Sequence, residues 1–446
     1  MTGASLTDSA VYGHLWATDE VRALFDDRGR TQLWLDVIAA LAGAQAELGL
    51  IPEEAARDIS AHARVDDLDL DAVGEETRRT GHSTLGLIRV LQRSLGAAGR
   101  AWVYFGATVQ DVTDTWTGLV MQRMTRIVRR DLGAIEASLS ALAAEHRHTL
   151  MLGRTHAQPG LPITFGFKAA VWAAEVRRHL ERAAEAEPRL AVGQLAGAVG
   201  TLSSWGEEGL ELQRRVMERL GLGVPDTSWI NARDRIAEFV ALLALLTGTL
   251  AKIGNEVYNL QRPEIGELSE APSDGVVGSI TMPQKRNPER AEHLVTLARV
   301  VRAAAAPAFE GLVSEHERDA AAWKAEWAFL PQACTAAAAA LALAVELVGG
   351  LQVDAGRMRA NLDAQGGYVL AEGVMLALAE RVGKDRAHAL VHDAAARGVA
   401  DGVPFRDALL ADPEIATLLA PSALNALLLP ERALGVNDAL IDRVLQ

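Results

Sequence analysis

The sequence predicts an all-α fold, and three observations lead to that prediction. Long segments place apolar residues at the 3.6-residue spacing of amphipathic helices. Alternating, strand-like runs bounded by Asn-Gly or Asp-Gly turns are scarce. Only 5% of the residues are aromatic, whereas alanine and leucine, which favour helix, are abundant. We therefore expect helices along most of the 446 residues.

The individual helices are predicted in chain order from their apolar stripes. Residues 31–48 carry one such stripe, formed by Leu33, Val37, Ala40, Leu41 and Ala44. Residues 163–187 carry another, with Arg177, Arg178 and Glu181 on the opposite side. Further long apolar-periodic segments are residues 208–220, 233–262, 291–313 and 327–350.

Breaks in the helical pattern divide the chain into three predicted helical domains. Residues 1–104 contain shorter and more polar helices. Residues 105–348 contain long helices with few loops, which predicts an elongated central bundle. Gly349 and Gly350 mark the exit into a last domain, residues 349–446, whose helices are interrupted by prolines.

Composition and charge exclude several classes of protein. The formal net charge is −14, which argues against nucleic acid as a partner, because binding phosphates needs a basic face. Cys334 is the single cysteine, which excludes a disulfide framework and a cysteine-rich metal site and fits a reducing cytoplasm.

Two apolar runs raise the question of a membrane. Residues 239–251 are too few to span a bilayer, and residues 330–351 include Gln332 and Glu346. We expect both runs to be buried helices and expect no membrane association.

The most informative stretch is residues 273–288, which interrupt two long helical patterns with glycines and prolines. Glycine lets a loop approach a ligand closely. Lys285 and Asn287 offer donors for a carboxylate near a helix N-terminus, where the helix dipole also favours anions. Ser279 can act as a base if cationic neighbours lower its pKa. A polar interhelix loop with a capping serine is an equally good interpretation from these residues alone.

Three ordered sequence blocks resemble the fumarase/aspartase superfamily. GSITMPQKRNP at residues 278–288 resembles the pattern G-S-S-x-x-P-x-K-x-N, with Ile280 in place of the second serine. GATVQDVTDT at 106–115 resembles G-x-T-S-x-D-x-x-D-T, and GRTHAQ at 153–158 resembles G-R-T-H-x-Q. The nearest subgroup comprises adenylosuccinate lyase and 3-carboxy-cis,cis-muconate cycloisomerase, and HERDAAAWKAEW at 316–327 is closer to the cycloisomerase.

The resemblance implies a homotetramer with a central 20-helix core and active sites that are each built by three subunits. It also implies an anti β-elimination: a base removes a proton next to a carboxylate, and the bond at the next carbon then breaks.

Catalytic roles follow from the resemblance at matching positions. Ser279 is expected to be the base, and His156 the general acid. Glu292 is expected to orient that histidine, because a carboxylate partner fixes the imidazole tautomer. The structural alternatives are an interhelix hydrogen bond for His156 and a charge at a helix N-terminus for Glu292.

A second group of residues is expected to bind substrate. Lys285 and Asn287 would hold the carboxylate and stabilise its developing charge. The other expected contacts are His82, Tyr104, Thr108, Gln110, Thr155, Gln158, Met282 and Arg318.

Several of these positions have structural alternatives. Capping by Ser83 or Thr84 accounts equally well for the stretch around His82, and Arg318 can instead pair with Glu315. Asp111 and Asp114 are expected to cap and brace the helix that begins there, and Arg154 to be structural.

Three departures from the family pattern alter the expected substrate. Tyr104 replaces the family's histidine, Val109 replaces a serine, and Ile280 makes the loop more apolar. Loss of a hydroxyl donor in a pocket changes selectivity strongly. We therefore expect the reaction type to be kept and the substrate to differ.

The leading hypothesis is a lyase that needs no cofactor or metal. It would cleave a C–N bond in a small polyanionic dicarboxylate, a succinyl-type or nitrosuccinate-like substrate, and release fumarate. The alternatives are a lactonising 3-carboxy-cis,cis-muconate cycloisomerase and, from another class, a non-catalytic crystallin-like helical scaffold. Retention of Ser279, Lys285, Asn287 and His156 argues against the scaffold.

Overall fold

The structure is a computed structural model that describes residues 5–272, 279–282 and 284–446. Within these residues helices predominate, as the sequence predicts. The helices up to residue 145 are α1 (Gly13–Trp16), α2 (Asp19–Phe25), α3 (Asp27–Glu47), α4 (Glu53–His62), α5 (Leu70–Thr80), α6 (Leu85–Ser94), α7 (Ala97–Trp102) and α8 (Val109–Glu145). The long helices that follow are α9 (Phe165–Leu190), α10 (Gly209–Leu220), α11 (Asp234–Leu260), α12 (Glu289–Glu310) and α13 (Ala320–Gly349).

The remaining helices are shorter. They are α14 (Ala355–Asp363), α15 (Ala371–Val382), α16 (Lys384–Asp401), α17 (Phe405–Leu410), α18 (Pro413–Leu418), α19 (Pro421–Leu427) and α20 (Asn437–Leu445). Short 3-10 turns are Leu6–Asp8, Val65–Asp67, Gly206–Glu208, Tyr368–Leu370 and Pro430–Leu434. Helix α13 ends at Gly349, close to the end predicted for the segment 327–350, and begins earlier, at Ala320.

A small β-hairpin was not predicted. Strand β1 (Leu150–Thr155) pairs with β2 (Gln158–Thr164) in antiparallel fashion. A second, two-residue pairing joins β3 (Leu268–Ser269) and β4 (Gln352–Val353). The first hairpin carries one of the three family-like blocks, so the only substantial strands described lie where chemistry was expected.

Contacts divide the chain into two compact units. The first comprises the chain up to Leu132, His179–Ala251 and His293–Leu343. The second comprises Gly133–Arg178, Lys252–Glu292 and Ala344–Gln446. The boundaries fall within five long helices, so these units do not correspond to the three predicted domains, which stay a proposal.

Each unit has its own apolar core. In the first unit, α3 buries Leu33, Val37 and Leu41, the stripe that the sequence predicts. In the second, residues of α15 to α19 form one cluster that includes Val374, Phe405 and Leu424. Ile441 of α20 packs in another cluster with Ala143, Ala169 and Ala170.

Two helices are long and apolar enough to cross a membrane by length and composition. They are α11 and α13, and 67% of the most apolar window of each is buried inside the fold. The apolar run at 239–251 belongs to a 27-residue helix. The prediction that this run is too short to span a bilayer was therefore wrong. Both helices are largely buried in the fold, and core helices pass the same composition test, so their length and composition are weak evidence for a span.

Candidate active site

The first unit holds a cluster at the start of α8, where the GATVQD block begins. Asp111 lies in the first turn and accepts the main-chain N–H of Thr108, with 2.8 Å between nitrogen and oxygen. This is one half of a capping box, in which a side chain in the first turn reaches back to the residue before the helix. Asp111 therefore caps the helix, as predicted.

The same carboxylate fixes a second segment of chain. Its other oxygen accepts the main-chain N–H groups of Ala196 and Gly197 at 2.8 and 3.2 Å. Asp111 is 1% exposed, and burial raises its pKa to about 6, although the three N–H donors oppose this shift. A single buried carboxylate thus joins the Thr108 segment to the glycine-rich segment 193–200.

Arg318 contacts Thr108 directly. Both terminal guanidinium nitrogens donate to the Thr108 hydroxyl oxygen, at 3.2 and 3.1 Å. Arg318 precedes α13, and in the described part of the chain it forms no ion pair with Glu315, so the helix salt bridge considered above does not form. The pair places a cation and a hydroxyl together, which is a suitable arrangement for a substrate carboxylate.

The backbone around Arg318 is strained. His316, two residues before it, has a φ of 52°, a left-handed conformation that is unusual for a residue other than glycine. The Asn231 side chain donates to the His316 carbonyl at 2.5 Å. Such strain persists where surrounding contacts enforce it, and it concentrates at functional sites. Asn231 was not singled out in the sequence because its partner is a backbone atom.

Tyr104 also has a left-handed backbone, with a φ of 65°. Its hydroxyl is buried beside Thr84 but forms no hydrogen bond of acceptable geometry in the described residues. Burial raises the pKa of Tyr104, and the Asp111 carboxylate raises it further while Arg318 opposes the rise. The phenol is therefore a neutral donor where the family has a titratable histidine.

His82 serves the start of α6. Its Nδ1 faces the main-chain N–H groups of Thr84 and Leu85 at 3.4 and 3.3 Å, so it can accept both. The histidine itself, rather than the side chains of Ser83 or Thr84, provides this cap. Such a cap leaves Nε2 as the protonated nitrogen. Substrate contact by His82 stays a prediction.

Gln110 is fully buried on α8. Its amide nitrogen donates to Asp114 at 3.1 Å and to the Ile230 carbonyl at 3.4 Å. Asp114 in turn forms a bidentate ion pair with Arg233, at 2.9 and 3.1 Å. The amide nitrogen of Gln110 is thus bonded inside the fold, whereas its buried oxygen Oε1 has no hydrogen-bond donor among the described residues, and substrate contact by Gln110 stays a prediction.

The second unit presents the hairpin block. His156 and Ala157 form the two-residue turn between β1 and β2, with φ of 52° and 60°. Two consecutive left-handed residues are typical of a type I′ hairpin turn. Thr155, His156 and Gln158 are all exposed in the single chain. The turn therefore projects the imidazole outwards.

Arg154, next to this turn, is structural. It forms a bidentate ion pair with Glu267, at 2.9 and 2.6 Å, and the Glu267 side chain is completely buried. Asn361 donates to the same carboxylate at 2.8 Å. The ion pair and the amide anchor the end of β1 and so support the turn that carries His156.

The loop block lies in the second unit as well, and residues 273–278 and Pro283 of it lie outside the described residues. Ser279 Oγ accepts the main-chain N–H of Met282 at 3.1 Å. A hydrogen bond to the oxygen favours its anionic form. Lys285 is exposed, and Asn287 donates to Glu289 at 3.3 Å at the start of α12.

Two side chains that sequence reasoning missed fix the ends of this loop. Gln261 accepts the Glu270 N–H at 2.9 Å and donates to the Arg286 carbonyl at 3.3 Å. Glu270 accepts the N–H groups of Arg290 and Ala291 at 3.3 and 2.8 Å, which caps α12. No motif marks these residues, because they bind backbone atoms.

Most of the expected site residues thus fall into three groups, one in the first unit and two, the hairpin turn and the serine loop, in the second. The first unit brings Tyr104, Thr108 and Arg318 together. The second holds the hairpin turn and the serine loop, and Glu292 lies in the first turn of α12, where it is exposed. A separate cavity of about 600 Å³ in the first unit, lined by Trp16, Arg22 and Phe25 among others, contains none of the expected site residues.

Comparison with known proteins identifies relatives along nearly the whole chain. The family described as "Lyase" matches residues 15–303, and "Adenylosuccinate lyase C-terminus" matches residues 367–444. The N-acetyl-S-(2-succino)cysteine lyase of Dickeya dadantii is 40% identical over 99% of this chain and 97% of its own. The 3-carboxy-cis,cis-muconate cycloisomerase of Bradyrhizobium diazoefficiens is 39% identical over 95% of both chains.

A solved structure gives the same result for the fold. The fumarate lyase from Mesorhizobium sp. BNC1 is 37% identical, covers 96% of this chain and 98% of its own, and superposes with a TM-score of 0.90. The all-α fold expected from the sequence is therefore that of a fumarate lyase.

Proposed function

Because this chain belongs to the fumarase/aspartase lyase superfamily, in the subgroup of adenylosuccinate lyase and 3-carboxy-cis,cis-muconate cycloisomerase, we propose that it cleaves the C–S bond of a succinyl thioether and releases fumarate. The observation that carries this proposal is the 40% identity to an N-acetyl-S-(2-succino)cysteine lyase over nearly the full length of both chains. The C–N cleavage expected from the sequence stays a prediction, and the thioether replaces it as the first substrate to test.

The leaving group agrees with the residues of the site. A thiol has a pKa near 8.5, so a thiolate leaves as a stable anion, whereas an amine must be protonated as it departs. A thiolate leaving group therefore depends less on protonation by the general acid than an amine does. The more apolar positions, Val109 and Ile280, also suit sulfur better than a polar nitrogen group.

The proposed reaction is a balanced elimination. Ser279, as the alkoxide, takes one proton from the methylene carbon next to a carboxylate. The electron pair forms the carbon–carbon double bond, and the C–S bond breaks on the adjacent carbon. The products are fumarate, a thiolate and the proton held by Ser279. His156 is the proposed donor that protonates the thiolate.

Charge stabilisation is assigned to two groups. Lys285 and Asn287 hold the carboxylate on which negative charge develops, and the Met282 N–H supports the Ser279 oxygen. Arg318 and Thr108, already in contact, would bind the second carboxylate of the succinyl half. Glu292 is proposed to orient His156 from another copy of the chain, in a homotetramer with shared sites.

The test follows fumarate absorbance with purified protein. We expect turnover of N-acetyl-S-(2-succino)cysteine and a loss of about 10²–10⁴-fold in kcat for Ser279→Ala, the range that a general base contributes. Thr281→Ala, on the same exposed loop, is the matched control and should retain activity.

Other substrates distinguish the alternatives. Turnover of aspartate or adenylosuccinate, but of no thioether, would favour C–N bond cleavage, the reaction expected from the sequence. Consumption of 3-carboxymuconate, and of none of the other substrates, would favour the cycloisomerase. The 39% identical relative is the observation that supports this alternative. Full activity of Ser279→Ala would show that the base is another residue.

A further inference from the structure

Trp205 is a buried donor that the proposed reaction does not use. It lies in the turn that follows the glycine-rich segment 193–200 and is 5% exposed. Its indole N–H has no acceptor among the described residues. Almost all buried polar groups in proteins have a partner, so a buried donor without one needs an explanation.

The position of this N–H links it to the active-site block. A Cβ atom added to Gly106 would lie 2.6 Å from Trp205 Nε1. Gly106 opens the block that contains Thr108, and its φ is 77°. Glycine at this position therefore lets the main chain of the block approach the indole nitrogen.

Neighbouring donors also lack acceptors. Arg318 Nε is buried and has no acceptor among the described residues, and the buried Tyr104 hydroxyl lies beside Thr84 without a hydrogen bond of acceptable geometry. The nearby carboxylate, Asp111, is already bonded by the N–H groups of Thr108, Ala196 and Gly197. The block also contains a buried acceptor without a donor, Gln110 Oε1, but this oxygen leaves the N–H groups of Trp205 and Arg318 unpaired, and the oxygen atoms of a ligand would satisfy them.

Two other buried tryptophans show that an unpaired indole N–H does not by itself indicate a contact with a ligand. Trp34 and Trp116 also lack a hydrogen-bond acceptor. They pack edge to face, at 81° with 6.3 Å between ring centroids, and Phe25 packs edge-on against Trp116. An aromatic face can partly satisfy an indole N–H. Trp205 has no such ring contact in the described part of the chain.

We infer that Trp205 determines specificity by donating its indole N–H to an amide oxygen on the thiol half of the substrate, such as the acyl oxygen of an N-acylated cysteine. A neutral donor on an apolar ring suits a neutral acceptor, because neither partner carries a charge that burial would penalise. The charged Arg318 is left for a carboxylate. This inference rests on the proposed function.

The experiment compares N-acetyl-S-(2-succino)cysteine with S-(2-succino)cysteine, which lacks the acyl oxygen. Wild type should prefer the acetylated substrate by about tenfold in kcat/KM, the value of one hydrogen bond to a buried donor. Trp205→Phe, which removes the N–H, should reduce this preference to near one. Trp34→Phe makes the same change at another buried, unpaired indole and should leave the preference unchanged.

A binding measurement separates this inference from the proposed function. Calorimetry with N-acetylcysteine and cysteine needs no turnover. Tighter binding of N-acetylcysteine to wild type, lost in Trp205→Phe, supports the inference even if neither thioether is cleaved, an outcome that would overturn only the proposed reaction. Equal binding of the two thiols by wild type, or an unchanged preference in Trp205→Phe, overturns the inference.

Discussion

At the scale of single residues, the carboxylates that organise this site are buried, and burial opposes their ionisation. Asp111 shows the effect within one side chain. It accepts three main-chain N–H groups, which favours the charged form, yet burial dominates and its pKa rises to about 6. The protein therefore retains a proton there at pH values where the unfolded chain has lost it.

Because of Asp111, the free energy of unfolding should fall as the pH rises. Its folded pKa lies above the unfolded value of 3.8, so the native state binds more protons between pH 4 and 6, and the free energy of unfolding falls across that window. In Asp111→Asn this contribution is absent. Relative to wild type, we expect the free energy of unfolding of the variant to increase by about 2 kcal/mol from pH 4 to pH 6.

Denaturant unfolding at half-unit pH steps measures this difference. Asn retains one acceptor oxygen but turns an N–H₂ group towards the Thr108 N–H, so a constant destabilisation independent of pH is expected as well. A difference that stays flat between pH 4 and 6 would mean that Asp111 is ionised throughout.

Which residues the sequence could identify depends on what they bind. Ser279, His156 and Thr108 could be singled out because each stands in a sequence block that resembles a family pattern. Asn231, Gln261 and Glu270 were missed, since each acts on main-chain atoms and any residue of suitable reach could serve. Trp205 was missed because its relation to Gly106 exists only in three dimensions.

At the scale of elements, the hairpin that carries His156 combines two demands in one turn. Both turn residues have positive φ, a conformation that asparagine and glycine adopt more easily than histidine and alanine. The absence of Asn-Gly hid the turn from sequence analysis. The chain accepts strain here, which agrees with the role proposed for the imidazole at the tip.

Two substitutions separate the turn from the chemistry. Ala157→Gly should raise the free energy of unfolding by up to about 1 kcal/mol, because glycine adopts the left-handed conformation without strain. Its activity should be retained. His156→Asn should keep the stability, since asparagine tolerates this conformation, and lose about 10²–10⁴-fold in kcat.

Thermal unfolding and fumarate release measure the two effects side by side. If His156→Asn kept full kcat, the histidine would have only the structural role that the sequence left open. A loss of stability in Ala157→Gly would mean that flexibility in the unfolded hairpin outweighs relief of strain.

A buried ion triad links three long elements of the first unit. Arg233, just before α11, is 2% exposed and binds Asp114 of α8 and Glu326 of α13. Two carboxylates face one guanidinium, and burial raises the pKa of Glu326 even though Arg233 opposes that rise. Uncompensated charge would be costly in this environment.

Removing the shared cation should therefore destabilise strongly. For Arg233→Met we expect a loss of about 3–5 kcal/mol in the free energy of unfolding, because two buried carboxylates lose their partner. The matched control is Arg129→Met, which breaks the more exposed pair with Glu187 and should cost at most about 1 kcal/mol. Urea unfolding of both variants compares them, and similar losses would show that the buried triad has no special weight.

Helix bounds were the part of the fold that sequence predicted best. The segments 208–220 and 233–262 correspond to α10 (Gly209–Leu220) and α11 (Asp234–Leu260). Periodicity identifies such helices because one face meets a core all along their length. The predicted domain division differs from the two contact-defined units, because a helix that is continuous in sequence shows no sign of where its neighbours change.

At the scale of the whole molecule, a net charge of −14 has to be reconciled with the anionic substrate that we propose. Positive potential concentrated locally is sufficient, and Arg318 and Lys285 supply it at the two groups proposed to bind carboxylates. A second requirement is exclusion of water, without which a serine alkoxide is not maintained. The single chain leaves Lys285, His156 and Gln158 exposed.

Exposure of these groups leads to a prediction about assembly. If another copy of the chain covers them, then Arg318→Ala and Ser279→Ala damage different subunits of one shared site. Each variant alone should be inactive. Randomly mixed tetramers should recover activity in about a quarter of their sites, because each of two contributing subunits is intact with a probability of about one half. Co-expression with two affinity tags isolates the mixed assemblies, and fumarate release measures their activity.

The double variant Arg318→Ala/Ser279→Ala, co-expressed with either single variant, is the control and should recover nothing, since no site then receives both intact residues. Mixed assemblies that form but stay inactive would show that each chain supplies both residues to its own site, and the exposed hairpin and loop would then need another cover.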